Sequence, residues 1–124
     1  MTEAETRAAT DRARLQWHVD QPSPDRTTVV FTGRFDAVEA MAARTRMAEP
    51  DIAGARHLVL DLADVTFLDS AGLAVLVRAR QDRLRDGRTI ALVRPAADAA
   101  QRVLRLTQFD QIFTMLDHRS PGST

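Results

Sequence analysis

Apolar positions along the chain recur every two residues in some stretches and every three or four in others, and each change of period marks an element. Leu15-Gln16-Trp17-His18-Val19 alternates apolar and polar residues, which predicts a half-exposed strand. Gln21-Pro22-Ser23-Pro24-Asp25 is a turn by its prolines. Thr27 to Thr32, centred on Val29, Val30 and Phe31, predicts a second strand, antiparallel to the first across so short a connection. Gly33-Arg34-Phe35-Asp36 then leads into a helix from Ala37 to Met47, with Val38, Met41, Ala42 and Thr45 as its apolar face. Asp36 and Glu39 have the spacing of a capping box, and Pro50 ends the helix.

Leu58-Val59-Leu60 is apolar throughout and predicts a buried strand. A short polar turn follows, and the chain re-enters the interior at Val65, Phe67 and Leu68. Asp69-Ser70-Ala71-Gly72 opens a second helix, to about Asp86, with Leu73, Leu76, Val77 and Leu84 near helical spacing and Gly87 as its left-handed stop. The charges Arg78, Arg80, Asp82, Arg83 and Arg85 read as a solvated face of that helix. Thr89 to Val93 is a fourth strand. A third helix starts at Arg94-Pro95, repeats Ala96, Ala99, Ala100, Val103 and Leu104, and closes at Gln108-Phe109-Asp110. Ile112 to Leu116 is the last strand. Strands alternating with helices predict an α/β fold: one domain, a mixed β-sheet with mostly parallel strands and flanking helices. The domain spans 15–116, between polar tails 1–14 and 117–124 that are expected to be flexible.

Composition narrows the function. At 124 residues and 44% apolar content the chain can bury one core without metal or disulfides. Seventeen basic and seventeen acidic residues cancel, so bulk charge gives no case for direct nucleic-acid binding. No apolar run approaches bilayer length and no charged-then-apolar leader opens the chain, so no membrane insertion and a cytoplasmic location are expected. Cys, Lys, Tyr and Asn never occur. That excludes thiol nucleophiles, cysteine-bound zinc, a P-loop lysine and Schiff-base chemistry.

Candidate chemistry centres on Ser70. At a helix N-terminus, free N–H groups and the macrodipole favour negative charge, so a serine there is suited to carry a phosphate. The plainer reading makes Ser70 the helix N-cap, worth about 1 kcal/mol. A nucleophilic serine needs a positioned base, and His18, His57 and His118 have no diagnostic spacing to it. Asp61, Asp64 and Asp69 read as turn-formers and caps rather than metal ligands. No enzymatic activity, metal or cofactor is expected.

The stretch Val59 to Leu73 resembles the signature of the STAS family, the domain shared by sulfate transporters and anti-sigma-factor antagonists. That family joins a strand ending in apolar-Asp to a loop reading Asp-Ser-(Ser/Thr/Ala)-Gly-Leu at a helix start. The matching residues are Asp61 and Asp69-Ser70-Ala71-Gly72-Leu73. Gly33-Arg34-Phe35-Asp36 is similar to the family's Gly-x-(Leu/Phe)-Asp, and Pro95 to Phe113 resembles its closing helix and strand. The likeness covers roughly Leu15 to Leu116.

In the antagonist branch the resemblance implies that Ser70 is the phosphoacceptor, with Asp36 beside it. Ala71 stands where a second hydroxyl is common, leaving Ser70 alone. Asp36, Asp69, Ser70, Ala71, Gly72 and Leu73 are the implied partner-binding residues, Gly72 letting a partner approach closely. The implied partners are an anti-sigma factor that is also a serine kinase, and a serine phosphatase that resets the switch. Unphosphorylated, the domain binds the anti-sigma factor and releases the sigma factor, a form of transcription regulation used in stress responses. The resemblance also implies an alternative: a non-switched scaffold or accessory subunit of a stress-signalling or lipid-transport complex.

Overall fold

The computed structural model describes residues 14–118. In chain order its elements are β1 (Gln16–Ser23), β2 (Arg26–Phe35), α1 (Ala37–Met47), α2 (Pro50–Ala53), β3 (His57–Leu68), α3 (Ser70–Arg85), β4 (Thr89–Val93), α4 (Asp98–Leu106), α5 (Phe109–Ile112) and β5 (Thr114–Leu116). The strands form one sheet in the order β1-β2-β3-β4-β5. β1 is antiparallel to β2, and the other neighbouring pairs are parallel. This is the mixed, mostly parallel α/β sheet that the alternating periods predict. No helix among the described residues is long and apolar enough to cross a membrane.

Register explains which strand face is buried. Val29 pairs with Val19 and Leu60, Leu60 with Leu92, and Leu92 with Met115. The neighbouring row Thr27, Leu58 and Ile90 lies on the same face, because side chains alternate across a strand. Ala43 and Met47 of α1, Ile52 of α2, Val75 and Leu76 of α3, and Ala100 and Leu104 of α4 join these rows in one core. Trp17, Phe31 and Phe35 extend it as a chain of tilted rings with centroids 5.0 and 5.1 Å apart.

Several local expectations are corrected. The polar turn expected after Leu60 is strand: β3 runs unbroken through twelve residues. It accommodates the polar residues by bulging, since Val30 and Thr32 of β2 pair with Asp61 and Asp64, and Gly33 and Arg34 with Val65 and Phe67. Asp61 is fully buried, and its carboxylate accepts from the Ala63 N–H at 3.0 Å.

The inward face of α1 is not Val38, Met41, Ala42 and Thr45 but Glu39, Ala43 and Met47. Val38 and Met41 are 80% and 78% exposed. Glu39 does not reach back to complete a capping box; its carboxylate accepts from Arg14 Nε at 3.0 Å. Pro50 does not stop α1, which ends at Met47; it starts α2, where a missing N–H costs nothing.

α4 begins at Asp98, because Pro95 is buried and the Ala96 N–H bonds to the Ala63 carbonyl of β3. Gln108, in the left-handed region at φ 63°, ends the α4 segment, so α5 is separate and β5 starts only at Thr114.

The charged run on α3 is not wholly solvated. Arg83 is 4% exposed. Its Nε donates to the Thr89 carbonyl at 2.7 Å, Nη1 to those of Ile52 and Ala53 at 3.3 and 3.4 Å, and Nη2 to that of Ala55. One guanidinium thereby joins α3, α2 and the start of β4. Burial pushes its pKa below the ordinary arginine value, and the charge of Arg88 acts in the same direction.

The predicted tails fall mainly outside the described residues. Of the first, only Arg14 is described; of the second, only Asp117, which accepts from Arg94 Nε at 2.9 Å, and the exposed His118.

Candidate functional site

β2 and β3 end side by side, Phe35 paired with Leu68, and each passes the chain to a helix through an aspartate. Asp36 caps α1 and Asp69 caps α3 with nearly the same backbone, φ −122° and ψ −175° against φ −119° and ψ −175°. Asp36 Oδ1 accepts from the Val38 N–H at 3.1 Å. Asp69 Oδ1 accepts from the Ala71 and Gly72 N–H groups at 2.9 and 3.0 Å. The second oxygen of Asp69 crosses to the other helix, accepting from the Ala37 N–H at 3.0 Å. One carboxylate therefore holds two helix N-termini together, where two positive dipole ends converge.

Ser70 is the first residue of α3, not its cap. Its side chain is exposed, and its hydroxyl makes no hydrogen bond among the described residues. The N–H groups expected to receive a phosphate there are already bonded, those of Ala71 and Gly72 to the Asp69 carboxylate and that of Leu73 to the Asp69 carbonyl. A phosphate on Ser70 would project outward, beside Asp69 and into water.

Gly72 is buried, and a Cβ placed on it would lie 2.4 Å from the Phe35 carbonyl oxygen and 2.9 Å from Phe35 Cδ1. The glycine is thus needed for the approach of α3 to β2 within the domain. Leu73 packs against the core, while Asp36, Asp69 and Ala71 are partly exposed. The six predicted site residues therefore gather at one corner, but Ser70 is the most open of them and Gly72 faces inward.

Two features of this corner escape a reading of the sequence. Arg34 lies with its guanidinium 4.1 Å above the Phe67 ring and its Nε 3.5 Å from Asp36 Oδ2, placing a cation beside the two aspartates. The register pair Arg34–Phe67 is the signal that would have found it. Val38 and Met41, in the first turns of α1, add two exposed apolar side chains on the helix that Asp36 caps.

The histidines lie elsewhere. His57 Nδ1 is 2.8 Å from Thr89 Oγ1, at the opposite end of β3 from Ser70, roughly 35 Å of strand away. His18 pairs across to Val30 in the middle of β1 and β2. Among the described residues no group of three or more His, Cys, Asp or Glu converges as metal ligands would. What the corner offers chemically is an exposed hydroxyl at a capped helix start, next in sequence to one carboxylate, at the junction where a second carboxylate and an arginine also lie.

Comparison with known proteins identifies the fold and the family. The family model of the STAS domain matches residues 13–120. An anti-sigma factor antagonist from Mycobacterium paratuberculosis superposes with a TM-score of 0.76 at 24% identity, over 89% of this chain and 92% of that one. The anti-sigma factor antagonist SpoIIAA in its unphosphorylated form gives a TM-score of 0.67 at 13% identity, over 84% and 90%. The Bacillus cell fate determinant SpoIIAA in its phosphorylated form gives 0.64 at 10% identity, over 83% and 93%.

Proposed function

The chain belongs to the STAS domain family, and on that premise we propose that it is an anti-sigma-factor antagonist switched by phosphorylation of Ser70. The observation that carries the reading is Ser70 itself: exposed, its hydroxyl without a hydrogen bond among the described residues, and held at a helix start within the motif Asp69-Ser70-Ala71-Gly72-Leu73. The unphosphorylated corner docks an anti-sigma factor that is also a serine kinase, and the sigma factor is released. Asp36, Asp69 and Ser70 contribute the polar part of that surface and Ala71 a small apolar part, with Leu73 and Gly72 holding it in shape. The kinase transfers a phosphoryl group from ATP to the Ser70 hydroxyl, the complex separates, and a serine phosphatase restores the hydroxyl.

The physics of the switch is local. Phosphate adds about 1.5 to 2 negative charges at neutral pH. Beside Asp36 and Asp69, in an interface fitted to a neutral hydroxyl, that charge costs several kcal/mol in desolvation and repulsion. A micromolar complex, near 8 kcal/mol, cannot absorb such a loss and stay assembled.

Titration of Ser70→Ala and Ser70→Asp against the cognate anti-sigma kinase tests the proposal, with thermal melts to confirm folding. Ser70→Ala should keep partner affinity and lose phosphorylation. Ser70→Asp should bind at least tenfold more weakly, about 1.4 kcal/mol. Parental affinity in a folded Ser70→Asp variant would sink the switch and favour the non-switched scaffold.

A further inference from the structure

A groove of about 310 Å³ opens between the C-terminal end of α1 and the later turns of α3, away from Ser70. That volume is at the lower end of small-molecule sites, roughly 300 to 1,000 Å³. Its floor is hydrocarbon: Met47, Leu58 and Val75 are buried and Ala79 is half-buried.

Its walls are basic. Four arginines, Arg44, Arg78, Arg83 and Arg85, line it against two carboxylates, Asp82 and Asp86. Asp82 is shared by Arg78 at 3.3 Å and by Arg85, and Asp86 is paired with Arg88 at 3.4 Å. Arg44, exposed at the rim, has no acidic partner among the described residues. Among the described residues the hydrogen-bond partners of Arg83 are carbonyls: four oxygens for a side chain with five N–H donors. A guanidinium at a low-dielectric wall, hydrogen-bonded to carbonyls rather than to a carboxylate and offset only in part by Asp86, adds positive potential to the groove.

We propose that this groove binds a small amphiphilic anion, a medium-chain carboxylate. Its hydrocarbon lies on Met47, Leu58, Val75 and Ala79, and its carboxylate faces Arg44 and the edge of Arg83. A carboxylate matches the planar fork of a guanidinium, and the apolar floor rewards a chain that a bare inorganic anion lacks. The site is separate from the Ser70 corner and stands whether or not Ser70 is phosphorylated.

Decanoate, titrated below its micelle concentration into the whole chain while amide and methyl resonances are followed, tests this. Saturable shifts are expected at Met47, Leu58, Val75 and Ala79, with Ser70 unmoved. Decyltrimethylammonium should produce none of them. Arg44→Glu reverses an exposed, unpaired charge without touching the fold and should weaken decanoate at least tenfold. Ala79→Leu should fill the floor and abolish the shifts. The proposal is overturned if the shifts fail to saturate, if the cationic analogue binds as well, or if folded Arg44→Glu keeps parental affinity. Shifts seen with phosphatidylglycerol vesicles but not with free decanoate would also overturn it, in favour of a membrane surface.

Discussion

The Asp69 carboxylate engages backbone donors from two helices at once, while the hydroxyl of its neighbour Ser70 engages none among the described residues. The two residues should therefore respond very differently to truncation. Ser70→Ala should change folding stability by no more than about 0.5 kcal/mol, as at an ordinary surface position. Asp69→Ala removes a cap and the tie to α1, and should cost about 2 kcal/mol or more. Urea unfolding of both variants measures the contrast, and equal losses would place the cap on Ser70 after all. The sequence could not decide between them, because serine and aspartate are nearly equal as N-caps. Gly72 makes the same point with the opposite sign. Replacing a helical glycine with alanine ordinarily stabilises by up to about 1 kcal/mol. Here the new Cβ would meet the Phe35 carbonyl oxygen at 2.4 Å. Gly72→Ala should instead destabilise by roughly 1 to 3 kcal/mol, read as a lower urea midpoint. A stabilised variant would mean that α3 can draw back from β2 at no cost.

Elements were legible wherever periodicity was strong. The apolar row through Val29, Leu60 and Leu92 identifies three adjacent strands, and Gly87, at φ 71°, stands just past α3 as its left-handed stop. Legibility failed where tertiary contacts override local pattern. α1 carries four alanines, so its apolar stripe is weak, and the cross-tie from Asp69 to Ala37 fixes which side turns inward. β3 looked like strand, turn and loop because its polar residues interrupt the run, yet bulging absorbs them within the ladder. Arg83 was hidden in a charged run because arginine is rarely buried, and nothing local distinguishes it from Arg80 or Arg85. Its role predicts a large effect. Arg83→Met strips the donor from four carbonyls that join α2, α3 and β4, and should cost about 3 kcal/mol in urea unfolding. Arg83→Lys should recover only part of this, since an ammonium cannot fork to so many acceptors. A loss below about 1 kcal/mol would show that water replaces the guanidinium easily.

At the scale of the whole molecule, the proposed switch acts on the surface of a fold whose core does not depend on it. Ser70 is exposed at one corner, and the buried rows of the sheet lie behind the helices. The melts that accompany the Ser70→Asp titration should accordingly stay near that of the parent, even as partner affinity falls. The architecture and the corner were readable together because one stretch, Val59 to Leu73, supplies a core strand, a cap and the exposed serine. The groove behind α3 was not readable, since it depends on how two helices diverge rather than on any motif. The double cap at Asp69 carries a consequence for the enzyme that would modify this chain. With Ala71, Gly72 and Ala37 all clamped to one carboxylate, the segment around Ser70 cannot be drawn out as an extended strand without breaking two helix starts. A kinase acting here must recognise a folded surface, not a peptide. Under the proposed switch, Ser70 is then an epitope that only a correctly folded copy displays, and misfolded chains would go unmarked.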